Sequence, residues 1–183
     1  MDETTRARLD DLRSEEAARE NAAFEHFMEA TNQPVGWAYE VWDEVVQRLA
    51  HRSNRQRAIA AQLLCGLAKS DPEERILGDL DALLAVTRDE RFVTARHCMQ
   101  SLWRVGAAGE RQRRKLVEGL VGRFAECAAE KNCTLIRYDI IESLRKTFDA
   151  SGDESLRQTA LGLIATEEDP KYRKKYATLW RTA

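Results

Sequence analysis

Apolar residues recur at every third or fourth position along most of the chain. Trp37, Val41, Val45 and Leu49 are each four residues apart, and this spacing places them on one face of a helix. Similar apolar stripes follow, separated by short polar breaks. They predict further helices over about 53–69, from 71 through 84, over about 90–105, 111–129 and 134–148, from 154, and from 169 to about 180.

Several of these helices begin with recognisable capping sequences. Ser53–Gln56 and Ser151–Glu154 have the spacing of a capping box, in which a hydroxyl and an acid or amide three residues later satisfy free backbone N–H groups. Asp71-Pro72 and Asp169-Pro170 place proline at the first helical position, where its missing N–H is not needed. We therefore expect Asp71 and Asp169 to be N-caps, with Glu74 completing the box of the first.

Only Leu135–Ile141 conflicts with a helical interpretation, because its residues favour strands. The stretch continues with helical spacing and no turn signal, so we predict helix there as well. With 43% hydrophobic residues, the 183-residue chain has enough apolar side chains for a core, while 9 Gly and 3 Pro are few for a β-rich fold. The predicted fold class is all-α.

Residues 1–35 differ from the rest of the chain. They carry a net charge of −5 and only sparse apolar contacts, such as Leu12, Phe24 and Phe27. We predict an acidic, partly flexible N-terminal helix that ends at Gln33–Gly36, because Pro and Gly interrupt helices. The remaining residues, 36–183, form the second predicted domain.

An internal repeat runs through this second domain. Residues 56–64, 94–102, 136–144 and 156–164 align, each with two small or apolar residues at the fifth and sixth positions. Three of the four segments have Arg at the second position, and all end on Leu or Ile. Their first three end points, Leu64, Leu102 and Leu144, lie 38 and 42 residues apart. A period of this length is typical of stacked helix pairs.

The pattern resembles the second helix of HEAT and HEAT-like repeats, which belong to the ARM-type helical folds. Residues 136–144 match best, whereas Gln56 and Thr94 stand where the family has an apolar residue. The resemblance implies a short α-α superhelix, or solenoid, of about four pairs in addition to the N-terminal helix. Those pairs are 36–69, 71–106, 110–148 and 153–182. A globular helical bundle is the competing architecture.

Charge is distributed unevenly over these pairs. The first helices with their caps sum to −9 and the second helices to +12, although the whole chain is only −2. Second helices line the concave face of HEAT-like solenoids, so the resemblance implies a basic inner face. The candidate binding residues there are Arg55, Arg57, Arg91, Arg96, Arg137, Arg145, Arg173 and Lys174, with Lys171 and Lys175 beside them. They would either attract an anionic partner or form a ladder of ion pairs with acids of the next repeat.

Recognisable chemistry is sparse. The sequence has no phosphate-binding glycine loop, nucleophile elbow or zinc-protease motif, and we expect no catalytic residue, metal or cofactor. The four cysteines, Cys65, Cys98, Cys127 and Cys133, lack zinc-site spacing and are predicted to be reduced thiols in a cytoplasmic protein.

These observations favour a non-catalytic binding or adaptor module that holds a protein or peptide on its concave face. The first alternative is nucleic-acid binding through the basic inner groove. A less favoured alternative is an enzyme similar to HEAT-like DNA-repair glycosylases or to lyases, using Trp103, Tyr138 and Asp139; the ordinary role of Asp139 would be capping or pairing with Arg137.

No apolar run approaches the ~20 residues of a membrane span, and Met1–Arg6 lacks the apolar stretch of a signal peptide.

Overall fold

The structure is a computed structural model that describes residues 1–14 and 16–181. Glu15, in the N-terminal segment, and residue 182, the end of the last predicted pair, lie outside the described residues, as does residue 183. Over the described residues the chain is all-α and has no strand, which confirms the predicted class. The helices are α1 (Glu3–Asp11), α2 (Ala17–Ala30), α3 (Ala38–Arg48), α4 (Asn54–Leu67), α5 (Ile76–Val86), α6 (Phe92–Ser101), α7 (Trp103–Ala108), α8 (Glu110–Glu126), α9 (Cys133–Ser151), α10 (Glu154–Ala165) and α11 (Pro170–Ala177).

Consecutive helices pack as neighbours along the chain: α3 against α4, α5 against α6, α8 against α9, and α10 against α11. The second members also contact one another in order, α4 with α6, α6 with α9, and α9 with α11. The first members make a parallel set of contacts, α3 with α5, α5 with α8, and α8 with α10. Each pair is therefore in contact with the one before it through both of its helices.

The apolar stripes meet in one continuous core between these helices. Leu64, Leu102 and Leu144, which end the aligned segments of the repeat, all have no exposed surface, and Ile164 is 5% exposed. The repeat in the sequence thus marks equivalent buried positions. Burial of a leucine side chain contributes roughly 1.5–3 kcal/mol, so these positions are important to stability.

The single helix predicted over residues 1–35 is wrong, because a turn at residues 12–13 ends α1 before α2 begins. Leu12 lies in this turn and is only 1% exposed, as is Phe27 on α2. Helix α2 packs against α4, and the side chain of Arg13 in the turn bonds Glu44 on α3. The composition of the segment does not indicate this break, because it depends on the burial of Leu12 against other helices, which is a tertiary contact.

The close packing of α2 on α4 depends on a glycine. A Cβ atom at Gly66 would lie 2.4 Å from the hydroxyl oxygen of Thr31, which follows α2 and is fully buried. Such a distance is far inside van der Waals contact. Gly66 therefore lets the end of α2 approach the backbone of α4.

The predicted caps are confirmed in one case and wrong in the others. Asp169 caps α11 as expected, accepting a hydrogen bond from the Lys171 N–H at 2.8 Å, with Pro170 as the first helical residue. Asp71 accepts from the N–H of Ile76 at 2.8 Å, but residues 72–75 form a turn and α5 begins only at Ile76. The turn includes Glu74 with a positive φ of 55°, so Pro72 does not begin a helix.

The two serine capping boxes do not form. Ser53 makes no side-chain cap bond, and the amide of Gln56 instead donates to the carbonyl of Leu12 at 2.8 Å. Ser151 is the last residue of α9, and Asp153 caps α10 by accepting from the Ser155 N–H at 3.1 Å. The Gln56 side chain is thus engaged in a tertiary contact, and Ser151 lies inside α9 because that helix is longer than predicted. Helix α9 includes the strand-like residues 135–141, as predicted.

Among the described residues, no helix is both long and apolar enough to cross a membrane.

Candidate binding site

Three arginines on the second helices each pair with an acid of the following helix pair. We call them the arginine ladder: Arg57–Asp89, Arg96–Asp139 and Arg137–Glu167. The shortest nitrogen–oxygen distances in these pairs are 2.5, 2.7 and 2.9 Å, and the acid side chains are 5%, 0% and 6% exposed. The ladder therefore neutralises charge inside the fold.

The middle rung encloses its carboxylate completely. Arg96 donates from Nε to one oxygen of Asp139 at 2.7 Å and from Nη2 to the other at 2.9 Å, a bidentate geometry that is strong and directional. Gln100 adds a third donor at 3.3 Å. The hydrogen bond to Asp139 raises the pKa of Arg96. The expected pairing of Asp139 with Arg137 is wrong, because Arg137 bonds Glu167 and stacks over the ring of Phe124 at 4.6 Å.

Asp89, the acid of the first pair of the ladder, is also held in its charged form. Burial raises the pKa of Asp89, but hydrogen bonds from the Arg57 guanidinium and the Arg91 backbone N–H outweigh it, so the pKa lies below its ordinary value. Arg57 approaches the two oxygens of Asp89 at 2.5 and 2.9 Å. An arginine held in this way has little capacity left for a phosphate or an acidic side chain of a partner.

Two other predicted residues make contacts within the fold. Arg55 bonds Glu20 and the side-chain oxygen of Asn21, the latter at 2.6 Å, and so joins α4 to α2. Arg145 bonds Asp149 at 2.8 Å and donates to the backbone carbonyl of Leu179 at 3.0 Å. Both residues serve interhelical packing, although Arg55 is 48% exposed.

The remaining predicted residues point into solvent. Arg91 is 69% exposed and lies 3.9 Å from Glu90. Arg173 and Lys174 are exposed on α11 and make no ion pair with the described residues. Together with Lys171 and Lys175 they form a group that we call the α11 cation cluster. The Lys175 ammonium lies 4.8 Å from the centre of the Tyr138 ring on α9. Outside the ladder, the exposed cations of the predicted set are therefore Arg55, Arg91 and the members of this cluster.

A groove of about 390 Å³ lies between α2, α4 and α6. Its lining combines apolar side chains with hydrogen-bonding groups and one arginine: Asn21, Phe24, Asn54, Arg55, Ala58, Ile59, Gln62, Val93, Thr94 and His97. Val93 is 65% exposed, and with Leu161 it is one of two large hydrophobic side chains that are exposed among the described residues. The one cation in the lining, Arg55, is already paired with Glu20.

Of the groove residues, only Arg55 belongs to the binding residues that the sequence predicts. Phe24 belongs to the predicted N-terminal helix, and neither the repeat nor the charge pattern indicates Val93. Val93 precedes His97 by four residues and therefore shares its helix face. An apolar residue beside a polar one on the same face is the feature of the sequence that indicates Val93 as a contact residue. The groove depends on the packing of α2 against α4, since both helices contribute to its lining.

The three histidines lie in different environments. His97 lines the groove, His51 accepts from the Ser53 N–H at 3.1 Å, and the ring of His26 contacts that of Phe27. Within residues 1–14 and 16–181, no group of three or more His, Cys, Asp or Glu side chains has an arrangement that would hold a metal ion.

No protein-family model matches the chain, and no curated protein sequence matches it.

Proposed function

We propose that this chain is a non-catalytic binding module, a short HEAT-like solenoid that binds a peptide segment of a partner protein in the groove between α2, α4 and α6. The consecutive contacts of the first and second helices support the solenoid architecture. The N-terminal helices α1 and α2 would then form an additional pair before the four that the repeat predicts. A cytoplasmic location is part of this proposal, supported by the four cysteines being free.

The observation that carries the proposal is the neutral character of the groove. Arg55, the cation of its lining, is paired with Glu20, so the groove offers apolar contact and hydrogen bonds with little net charge. Val93 and Phe24 would contact an apolar side chain, while Asn21 and Gln62 would bond the peptide backbone. A concavity that combines apolar surface with hydrogen-bonding groups is typical of a ligand site.

Enzymatic use of Asp139 receives no support from its surroundings. Both carboxylate oxygens accept hydrogen bonds from Arg96, and the side chain has no exposed surface. A base that attacks or activates a substrate must come within hydrogen-bond reach of it. The interhelical pair accounts for Asp139 without catalysis.

The test is selection of peptides from a random displayed library on the full chain, followed by anisotropy titration of the selected peptides. Val93→Asp is expected to weaken their binding at least about tenfold, since a charge in an apolar contact loses about 1.4 kcal/mol or more. Leu161→Asp is the matched control, because Leu161 on α10 is also a large hydrophobic residue with an exposed side chain, 47% exposed, and lies outside the groove. It should leave the affinity unchanged.

Equal effects of the two substitutions, or none, would overturn the groove as the binding site. Nucleic acid is the second candidate, favoured by the α11 cation cluster. Short duplex DNA and single-stranded RNA are therefore titrated in parallel at about 50 and 200 mM salt, a range over which phosphate contacts weaken strongly. Tight, salt-dependent binding that Val93→Asp does not change, with no peptide selected, would replace the peptide proposal by the nucleic-acid one.

A further inference from the structure

Two of the four free cysteines lie next to each other. The sulfur atoms of Cys127 and Cys133 are 3.3 Å apart. Cys127 begins the short 3-10 turn that follows α8, and Cys133 is the first residue of α9. The connection between these two helices therefore begins and ends with a thiol.

Buried contacts hold this connection in place. Arg123, on the last turn of α8, is 2% exposed and bonds both carboxylate oxygens of Glu130 in the connection, at 2.5 and 2.9 Å. Its guanidinium also donates to the Thr87 carbonyl at 3.2 Å. The sulfur of Cys127 is directed at the carbonyl of Phe124, 3.3 Å away. The two sulfur atoms are neighbours because the fold fixes the loop that carries them.

The two thiols differ in access to solvent. Cys127 is buried, whereas Cys133 is partly exposed. The guanidinium of Arg137, which is paired with Glu167, donates to the same Phe124 carbonyl as the Cys127 thiol, at 3.3 Å, and burial raises the pKa of the Cys127 thiol. Cys65 and Cys98 are fully buried. Cys133 is thus the thiol of the adjacent pair that a reagent in solution reaches.

We propose that Cys127 and Cys133 form a reversible redox site that a low-molecular-weight disulfide oxidises to an intramolecular disulfide. The S–S bond of about 2.05 Å requires the sulfur atoms to approach by little more than about 1 Å. Disulfides of this kind in cytoplasmic proteins are usually transient.

The reaction proceeds by two exchange steps. The Cys133 thiol loses its proton to solvent, and its thiolate attacks one sulfur of glutathione disulfide; that S–S bond breaks and one glutathione thiolate leaves. The Cys127 thiol then loses its proton, and its thiolate attacks the Cys133 sulfur, breaking the mixed disulfide and releasing the second glutathione thiolate. The two glutathione thiolates take up the two protons. The protein dithiol is oxidised by two electrons, and the glutathione disulfide is reduced.

The sequence makes this product easy to detect. Lys131 lies between the two cysteines, so trypsin, which cleaves after Arg123, Lys131 and Arg137, releases FAECAAEK and NCTLIR as separate peptides. The full chain is equilibrated in buffers of glutathione and glutathione disulfide, its remaining thiols are blocked, and the digest is measured by mass spectrometry. We expect the two peptides to appear joined, two hydrogen atoms lighter than their sum. The fraction of joined peptides should rise with the ratio of glutathione disulfide to glutathione. It should disappear when the digest is reduced.

Two variants separate the steps. Cys127→Ala should stop at a glutathione adduct on Cys133, whereas Cys133→Ser should take up no glutathione at Cys127. A thermal melt of each variant checks that it is folded, and Cys133→Ser, at the more exposed position, keeps the test available if Cys127→Ala does not fold. The proposal is overturned if the peptides remain separate at every ratio, if glutathione stays on Cys133 of the unmodified chain, or if Cys65 or Cys98 supplies the partner sulfur.

Discussion

Arg96 on α6 donates two hydrogen bonds to the carboxylate of Asp139 on α9, a side chain with no exposed surface, 43 residues further along the chain. Taking away one partner of a buried pair leaves the other charge uncompensated, at a cost of about 3–5 kcal/mol. We therefore expect Arg96→Met to lower the free energy of unfolding by about 3 kcal/mol, measured by urea denaturation. Arg91→Met, at an exposed position in the loop before α6, is the control and should change it by less than about 0.5 kcal/mol.

Removal of both charges of this pair should be far less harmful. Arg96→Met combined with Asp139→Leu leaves no buried charge, and apolar replacements of buried ion pairs are often neutral. The double variant should therefore be more stable than Arg96→Met alone. If the changes in the free energy of unfolding caused by the two substitutions simply add, Arg96 is not the main group that stabilises the Asp139 carboxylate. The ladder interpretation is then wrong for this pair.

The contact of α2 with α4 can be tested by two glycine substitutions. Gly66→Ala places a Cβ atom 2.4 Å from the Thr31 hydroxyl oxygen, whereas Gly78 on α5 has nothing within 4 Å of a Cβ atom. We expect Gly66→Ala to destabilise the protein by about 1–3 kcal/mol through overpacking. Gly78→Ala should stabilise it by about 0.5–1 kcal/mol because alanine favours the helix. Thermal melts of both variants decide the matter; a stabilised Gly66→Ala would show that α2 does not approach α4 so closely.

Acid should destabilise the fold through carboxylates whose pKa is lowered. The Arg123 hydrogen bond lowers the pKa of Glu130, and bonds from Ser155 and Arg113 lower that of Asp153. A carboxyl group with a folded pKa below its unfolded value contributes stability above the unfolded pKa and loses it as the pH falls through the folded pKa. We therefore expect this contribution to be fully present above about pH 5 and to decline below about pH 4.

A pH series of urea midpoints measures this decline. Glu130→Gln removes the charged form at every pH, so its stability should fall less between pH 5 and pH 3 than that of the unmodified chain. Glu118→Gln on α8 is the matched control, because Glu118 is exposed and makes no ion pair with the described residues. An acid decline that is the same in all three proteins would contradict the role given to Arg123 and Glu130.

The α11 cation cluster should affect anion binding without affecting stability. Lys174→Glu with Lys175→Glu changes exposed residues, so the free energy of unfolding should move by less than about 0.5 kcal/mol per residue. Any binding of DNA or RNA should weaken, and the slope of log affinity against log salt should decrease by roughly one for each lost phosphate contact. Unchanged nucleic-acid affinity and slope would show that the cluster does not contact phosphates.

The helical class, the repeat and most helix positions could be predicted from the sequence, because they depend on local spacing. Leu64, Leu102 and Leu144 were identified from the sequence alone and are all fully buried. Helix starts were less predictable. Asp169 caps α11 as its local sequence indicates, whereas the Gln56 side chain bonds Leu12, 44 residues away, and no local pattern reports such a partner.

The charge pattern illustrates the same division. The sequence by itself determined that the second helices are basic and that the first helices are acidic in sum, since this requires only residue counts along predicted helices. Whether those arginines face a partner or an acid of the next pair was decided by the tertiary structure, which places Asp89, Asp139 and Glu167 against Arg57, Arg96 and Arg137. The groove beside Val93 and the contact of Cys127 with Cys133 likewise depend on how the helices pack. Spacing along a helix fixes which face a residue occupies, but the neighbour of that face is set by packing free energy summed over the whole chain.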